Sequence, residues 1–510
     1  MSIRSKILSS SIWLLAGNAA TMSSSFVIFA LLARLLTPAD FGLVAFASVF
    51  IEVARRVMFG GFPDALVQRK DWDDTAASTV FWINLASSVV LAGLLAALAA
   101  PLAHAYGAAT FAWIFSVLSI SLVIDALRGV HEARLRRDFG YKILAIRMVV
   151  ANVVAGTIGI ALAVAGLGVW ALVGQRLVAS TLQTVIVWRT VFWIPKLAFS
   201  KTECVTLGKF GVNVMGAGLL GQLSSRVPDF VIGIFLGPAA LGLFRVGSRT
   251  LYFLIQLTIM PIQATAFSAF SRLSNASAVG RAYLRLTSAT AFVSFPVFLG
   301  AASVAPDFVV VCFGSHWEAS GPVMTALALV VAPATLVYFA PPALAALGRS
   351  QLMLLSSFAT FVMNALAALV TVSFGVVAVA AGQVARAHVT APFALSMLQR
   401  GIGLPIGRTI RSVVEPGIAA ALMAATVVAA RLYALEDLSP LPRLAICVVL
   451  GAVVYASLLL TVARRYTAET MLELTPHLPA PARRVVERFV PEIRHAAHEP
   501  DAPPGPGENG

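Results

Sequence analysis

The sequence predicts an all-α polytopic membrane protein of about fourteen transmembrane helices. Three observations carry that reading. The chain of 510 residues is 59% hydrophobic and 12% charged, where a soluble globular chain carries about 25% charged residues. Apolar runs near the roughly 18–20 residues needed to cross a bilayer recur along its whole length. Lysine and arginine concentrate in alternate loops, as they do where loop charge orients helices.

Taken in order, the predicted spans lie near 12–36, 41–61, 79–103, 111–130, 143–166, 169–192, 210–236, 240–270, 286–304, 322–347, 352–374, 376–398, 413–433 and 443–463. The start, Met1-Ser-Ile-Arg-Ser-Lys6, resembles the basic region of a signal peptide. The apolar segment after it lacks a clean cleavage site and runs on to Ala33, so it is taken as the first membrane helix. Spans two and eight carry charges within their apolar runs. One set of loops holds Arg4 and Lys6, Arg69 and Lys70, Arg134 to Lys142, Lys196 to Lys209, Arg272 to Arg285, Arg349, and Arg400 to Arg411. The alternate loops hold neither lysine nor arginine. The basic loops are therefore expected in the cytoplasm, with both termini there. Trp170 and Trp317 are expected near the outer interface, Trp188 and Trp193 near the inner one. The net charge of +14 is accounted for by these loops and does not imply nucleic acid.

An internal repeat is visible. Leu36-Thr-Pro-Ala-Asp-Phe-Gly-Leu43 recurs as Leu236-Gly-Pro-Ala-Ala-Leu-Gly-Leu243. Gly168-Val-Trp-Ala-Leu-Val-Gly-Gln175 has a looser echo in Gly375-Val-Val-Ala-Val-Ala-Ala-Gly-Gln383. Ala100-Pro101 with Tyr106-Gly107 is echoed by Ala305-Pro306 with Phe313-Gly314. Three matches in one order predict two six-helix lobes, 1–200 and 201–400, in parallel repeat. Two extra helices over 401–465 and a partly disordered tail over 466–510 complete the organisation. The tail mixes Arg483, Arg484, Arg488 and Arg494 with apolar residues, the pattern of a short interfacial helix.

Ala33-Arg-Leu-Leu-Thr-Pro-Ala-Asp-Phe-Gly-Leu43, Ala65-Leu-Val-Gln-Arg-Lys70 and Phe81-Trp-Ile-Asn84 occur in that order. Gly168-Val-Trp-Ala-Leu-Val173, Ile234-Phe-Leu-Gly237 with Ala240-Leu-Gly242, and Phe313-Gly-Ser-His-Trp317 follow. This series, over roughly residues 10–400, resembles the polysaccharide transporters of the Wzx type. They belong to a superfamily that also holds multidrug extruders and the lipid II flippase. The resemblance implies a cavity between two lobes, alternating access, and an undecaprenyl-diphosphate-linked oligosaccharide as cargo. It also implies partners in polysaccharide polymerisation, chain-length control and export. The chain departs from the family pattern at Val227-Pro228-Asp229 and at Phe244-Arg245 with Ser248-Arg249. Both departures fall where cargo is expected, so the sugar stays open.

Ionisable side chains at membrane depth are expensive and usually face a cavity or a partner. Glu52, Arg55 and Arg56 share one face of span two. Arg226 and Asp229 lie in span seven, Arg245 and Arg249 in span eight, Arg176 in span six and Arg386 in span twelve. At about 1.5 Å of rise per residue, Glu52, Arg176, Arg226, Asp229, Arg249 and Arg386 fall roughly 10–17 Å below the outer ends of their spans. Arginine suits a diphosphate because its planar fork binds phosphate oxygens bidentately. The seven arginines 55, 56, 176, 226, 245, 249 and 386 are the candidates for cargo binding. The alternative for Arg55, Arg56 and Arg245 is pairing with Glu52 or Asp229, or snorkelling to an interface. A pair between Asp229 and Arg245 leaves Arg226 and Arg249 without an acidic partner in their hairpin. No phosphate-binding loop occurs, so an ion gradient is the expected driving force, with Asp229 and Glu52 as candidate carriers. His316, Glu318 and Asp307 are read as solvated residues of one outer loop.

Cys204, Cys312 and Cys447 are far apart and show no metal spacing, and no cofactor is expected. A membrane oligosaccharide polymerase or ligase needs a sizeable outer loop rich in acids, bases or nucleophiles. The longest one here is about 305–321. A cation-coupled drug antiporter wants acidic walls, and the excess here is basic. Both rivals are weaker than the flippase reading, and the chain is not expected to be an enzyme.

Overall fold

The computed structural model describes residues 3–461, apart from residues 60, 70 and 274. Among the described residues the regular structure is helical, with no strand. In chain order the α-helices are α1 (Ile3–Leu35), α2 (Pro38–Phe59), α3 (Phe62–Gln68), α4 (Asp74–Ala105), α5 (Thr110–Ala126) and α6 (Gly129–Arg137). Next come α7 (Tyr141–Val164), α8 (Trp170–Thr190), α9 (Lys201–Thr258), α10 (Met260–Ser271), α11 (Ala276–Phe313) and α12 (Ser320–Ala328). The last six are α13 (Val331–Val337), α14 (Ala340–Ala346), α15 (Ser350–Thr371), α16 (Val376–Ile402), α17 (Ile406–Ala429) and α18 (Pro440–Thr461). The interfacial helix expected within 466–510 lies outside the described residues.

Helical structure stands at each of the fourteen predicted span positions. Among the described residues nine helices are long and apolar enough to cross a membrane, ten if the bent pair α5 and α6 counts as one. This is a multi-pass membrane protein. The charged α2 is not among the nine, nor are α8 and α16, which carry Arg176 and Arg386.

Several predicted boundaries shift, each for a local reason. Spans seven and eight run together as α9, broken where Gly237 adopts φ 82° and ψ −176°. A side chain with a Cβ rarely takes that conformation, so the glycine makes the turn. The predicted span eight then breaks again at Ile259, and α10 restarts with Pro261 in its first turn. Span ten is three short helices, with Pro333 in α13 and the Pro341-Pro342 pair opening α14. Proline removes a backbone donor and is tolerated best at a helix start. Two helices, α3 and α6, fold from stretches read as loops, and α6 departs from α5 by 41°.

The helices form two compact units. The first takes Met1–Phe253, Ala305–Leu327 and Met353–Thr390, the second Leu254–Val304, Ala328–Leu352 and Ala391–Gly510. This grouping by contact is a different division from the sequence halves 1–200 and 201–400.

In the first unit α1 packs on α7, α4 on α5, and α7 on α8, while α5 also meets α2 and α8. Asp73 caps α4 by accepting from the backbone of Thr75 at 3.0 Å and Ala76 at 3.1 Å. In the second unit Phe270, Tyr283, Phe339, Leu344 and Leu398 share a core. There α13 and α18 pack on α17, and Tyr455 donates to the Phe292 carbonyl at 2.9 Å. Two expectations about loops and interfaces fail. Trp317 is fully buried and donates its indole N–H to the Ala33 carbonyl at 2.7 Å, so it is a core residue. Trp193 and Asp307 are also buried.

Candidate binding site in the first unit

All the candidate residues belong to the first unit. Helix α2 divides its charges between two neighbours. Glu52 turns to α9, where it forms a direct ion pair with Arg226 and accepts from Gln222 Nε2 at 3.2 Å. Arg55, one turn on, places Nη2 2.8 Å from Asp125 Oδ2 on α5. Within α9, Arg226 Nη1 lies 3.2 Å from Asp229 Oδ2, and Arg245 Nη2 lies 2.9 Å from the same oxygen. Asp229 is only 4% exposed, so both of these bonds act with little competition from water.

The expected Asp229–Arg245 pair is therefore present, but Arg226 is not unpaired. It holds two carboxylates at once. Depth counting along one hairpin compared residues of α9 only. Glu52 arrives from 174 residues away in the sequence, where that count could not see it. Arg55 likewise pairs with Asp125 and not with Glu52.

Arg249 lacks an acidic partner in its hairpin, as expected, but is not withdrawn from solvent. It is exposed and has no carboxylate partner among the described residues. Its guanidinium carbon sits 5.7 Å from the Phe29 ring centre, a cation–π contact. Arg245 and Arg176 act on it with like charge, and Glu52 with opposite charge. Arg386 is half-buried on α16, and its Nε has no hydrogen-bond partner among the described residues. Arg56 is exposed and Arg176 half-buried, again with no carboxylate partner among the described residues. The seven arginines thus separate into three that hold carboxylates and four that do not.

A second network escaped the sequence reading. Asp125 Oδ1 accepts from Ser180 Oγ at 2.5 Å and lies 3.0 Å from Arg128 Nη2. Arg128 Nε lies 3.0 Å from Glu132 Oε1, and Arg147 forms an ion pair with the same carboxylate. Asp125 is 1% exposed and Arg147 5%. The signal was available. Asp125 interrupts the apolar run 111–130 and Arg147 the run 143–166, which is the rule that singled out Glu52. The network ties α2, α5, α6, α7 and α8 together, which makes it a scaffold for the face of α2 that carries Glu52.

Among the described residues no group of three His, Cys, Asp or Glu side chains is placed to hold a metal ion. The three cysteines are free. What the geometry offers is cationic: Arg249, without a carboxylate partner among the described residues, near a neutralised Glu52–Arg226–Asp229–Arg245 chain. Such an arrangement binds anions by charge and by directed N–H donors.

The fold has a close counterpart among solved structures. It matches the lipid II flippase MurJ in its inward closed conformation with a TM-score of 0.71 at 12% identity, over 88% of this chain and 98% of that one. A family model described as "Polysaccharide biosynthesis protein" matches residues 31–322, and the chain belongs to that family. The resemblance to polysaccharide transporters read from the Ala33–Leu43 segment and its successors holds. The succinoglycan biosynthesis transport protein ExoT of Rhizobium meliloti is 25% identical over 318 residues, 62% of this chain and 64% of its own length. The teichuronic acid biosynthesis protein TuaB of Bacillus subtilis is 26% identical over 334 residues, 64% of this chain and 69% of its own. The chain thus spans somewhat under two thirds of the succinoglycan protein it matches.

Proposed function

We propose that the protein is a flippase for undecaprenyl-diphosphate-linked oligosaccharide units, carrying them from the inner to the outer leaflet of a bacterial inner membrane. Its product feeds the synthesis of a surface polysaccharide. The single observation that carries the reading is Arg249, a guanidinium without a carboxylate partner among the described residues and near Arg245 and Arg176. An exposed guanidinium without a counter-charge offers a planar fork of N–H donors, and a diphosphate supplies both the missing charge and the acceptor oxygens. Arg386, Arg176 and Arg56 complete the seat. Arg226, Arg245 and Arg55 hold Glu52, Asp229 and Asp125, and so fix the walls of the site.

In this reading fourteen helices cross the membrane and both termini are cytoplasmic, as the loop charges favour. The halves 1–200 and 201–400 alternate access to the site, and the helices over 401–465 lie outside the repeat. An ion gradient drives the exchange. Glu52 is the first candidate carrier, since a carboxylate on Arg226 competes with a phosphate for the same donors. Asp229 is the second. The membrane and the lipid-linked saccharide are the partners, along with the proteins that polymerise and export the product.

Deletion of the gene tests the reading. The strain should lose a surface polysaccharide and hold undecaprenyl-linked repeat units in the inner leaflet. Normal polysaccharide, in a host with no second flippase, would remove the proposal.

A further inference from the structure

The duplicated Pro-Ala turn takes no part in the arginine site. Its two copies are Leu36–Leu43, which joins α1 to α2, and Leu236–Leu243, which breaks α9. In the folded first unit they lie against each other reciprocally. A Cβ on Gly42 would fall 1.8 Å from the Pro238 carbonyl oxygen, and a Cβ on Gly242 would fall 1.9 Å from that of Pro38. Neither separation is physically possible. The two glycines are therefore required for a missing methyl group, since neither has a positive φ. Exchanging the copies maps one contact onto the other, so the turns are related by a local two-fold.

A second set of contacts gathers around the same turn. The Ala33 carbonyl, at the end of α1, accepts from Trp317 Nε1 at 2.7 Å and His316 Nε2 at 2.9 Å. Arg34 answers by donating to the last carbonyls of α11, Val311 and, at 3.1 Å, Cys312. Each helix end thus has its unsatisfied carbonyls capped from the other segment. The Trp317 ring meets Phe41 edge-on at 5.3 Å and seals the junction.

We propose that this junction is the outward gate of the transporter, with Gly42 and Gly242 as its gating residues and Arg34, His316 and Trp317 as its latch. The inference rests on the transport reading above. The chemistry suits a contact that must open and close. At the turns themselves a carbonyl rests on a bare Cα in each direction, with the stacked Phe46 and Phe230 rings of α2 and α9 packed beside them. The latch bonds end on backbone carbonyls that water can satisfy after separation, so opening exchanges partners and strands none. A methyl group at either glycine excludes the closed state alone and leaves an open one unhindered, so it must shift the balance between them.

Spin labels at positions 39 and 239 read the gate directly, in a background with Cys204, Cys312 and Cys447 changed to Ser. Purified protein in nanodiscs is measured without any cargo. The parent should show one short distance. Gly42→Ala and Gly242→Ala should each add a longer distance and raise the open-to-closed ratio by about tenfold or more. Arg34→Gln leaves both turns untouched and should raise it in the same direction. It keeps the test decisive if one glycine variant fails to fold, which its elution profile would report. An unchanged short distance in the folded variants overturns the proposal, whatever the deletion strain does. A deletion strain with normal polysaccharide overturns the transport reading and leaves the distances as measured.

Discussion

Replacing Asp125 with asparagine is the sharpest probe of the network the sequence reading missed. The carboxylate is 1% exposed and faces Arg55 at 2.8 Å, Arg128 at 3.0 Å and Ser180 at 2.5 Å. Asp125→Asn keeps the shape and removes the charge. Arg128 keeps Glu132 at 3.0 Å, but Arg55 loses the carboxylate it pairs with. Removing one partner of a buried ion pair costs about 3–5 kcal/mol. The Arg55 side chain is 24% exposed, so water recovers part of that, and the expected loss is about 2–3 kcal/mol. Reversible denaturant unfolding in mixed micelles measures it. A double variant, Arg55→Leu with Asp125→Asn, should cost less than the sum of the two singles by about 1 kcal/mol or more. A loss below about 1 kcal/mol for Asp125→Asn, or strict additivity, would refute the account of Asp125 as the anchor of α2.

Other outcomes follow from the same contacts. Arg226→Ala strands Glu52, so heated samples should lose monodisperse protein on gel filtration, and adding Glu52→Gln should restore part of it; no rescue would mean that Arg226 does not serve Glu52. Cysteines placed singly within 131–142 or 271–285 should resist impermeant label applied from outside, and outside labelling of either stretch would break the proposed topology. Flipping in proteoliposomes should rise when a proton or sodium gradient is imposed, and equal rates with and without both would remove the coupling role of Glu52 and Asp229.

The positions of the helices were legible because membrane spans are written in composition and loop charge, which are local signals. The breaks inside α9 and span ten were only half legible. Gly237 and the prolines were visible, but their effect depends on what neighbours repair the backbone. The site was legible as a list and not as a pairing. Spacing put Glu52, Arg55 and Arg56 on one turn of α2, and only the fold sends Glu52 to α9 and Arg55 to α5. Asp229 with Arg245 was readable because a hairpin equates depth with distance from its turn. Trp317 misled because a tryptophan beside a loop looks like an interfacial anchor, whereas its indole N–H is held by Ala33, 284 residues earlier.

The central claim is that Arg249 holds the diphosphate, and transport of an undecaprenyl-diphosphate-linked saccharide into proteoliposomes tests it most directly. A hydrogen bond to a charged group contributes about 1.5–3 kcal/mol, which corresponds to roughly 10- to 150-fold in binding. Arg249→Ala should slow flipping by about that factor with protein level and fold unchanged, and Arg249→Lys should keep part of the rate, because a point charge replaces the planar fork. Wild-type rates in Arg249→Ala would contradict the account.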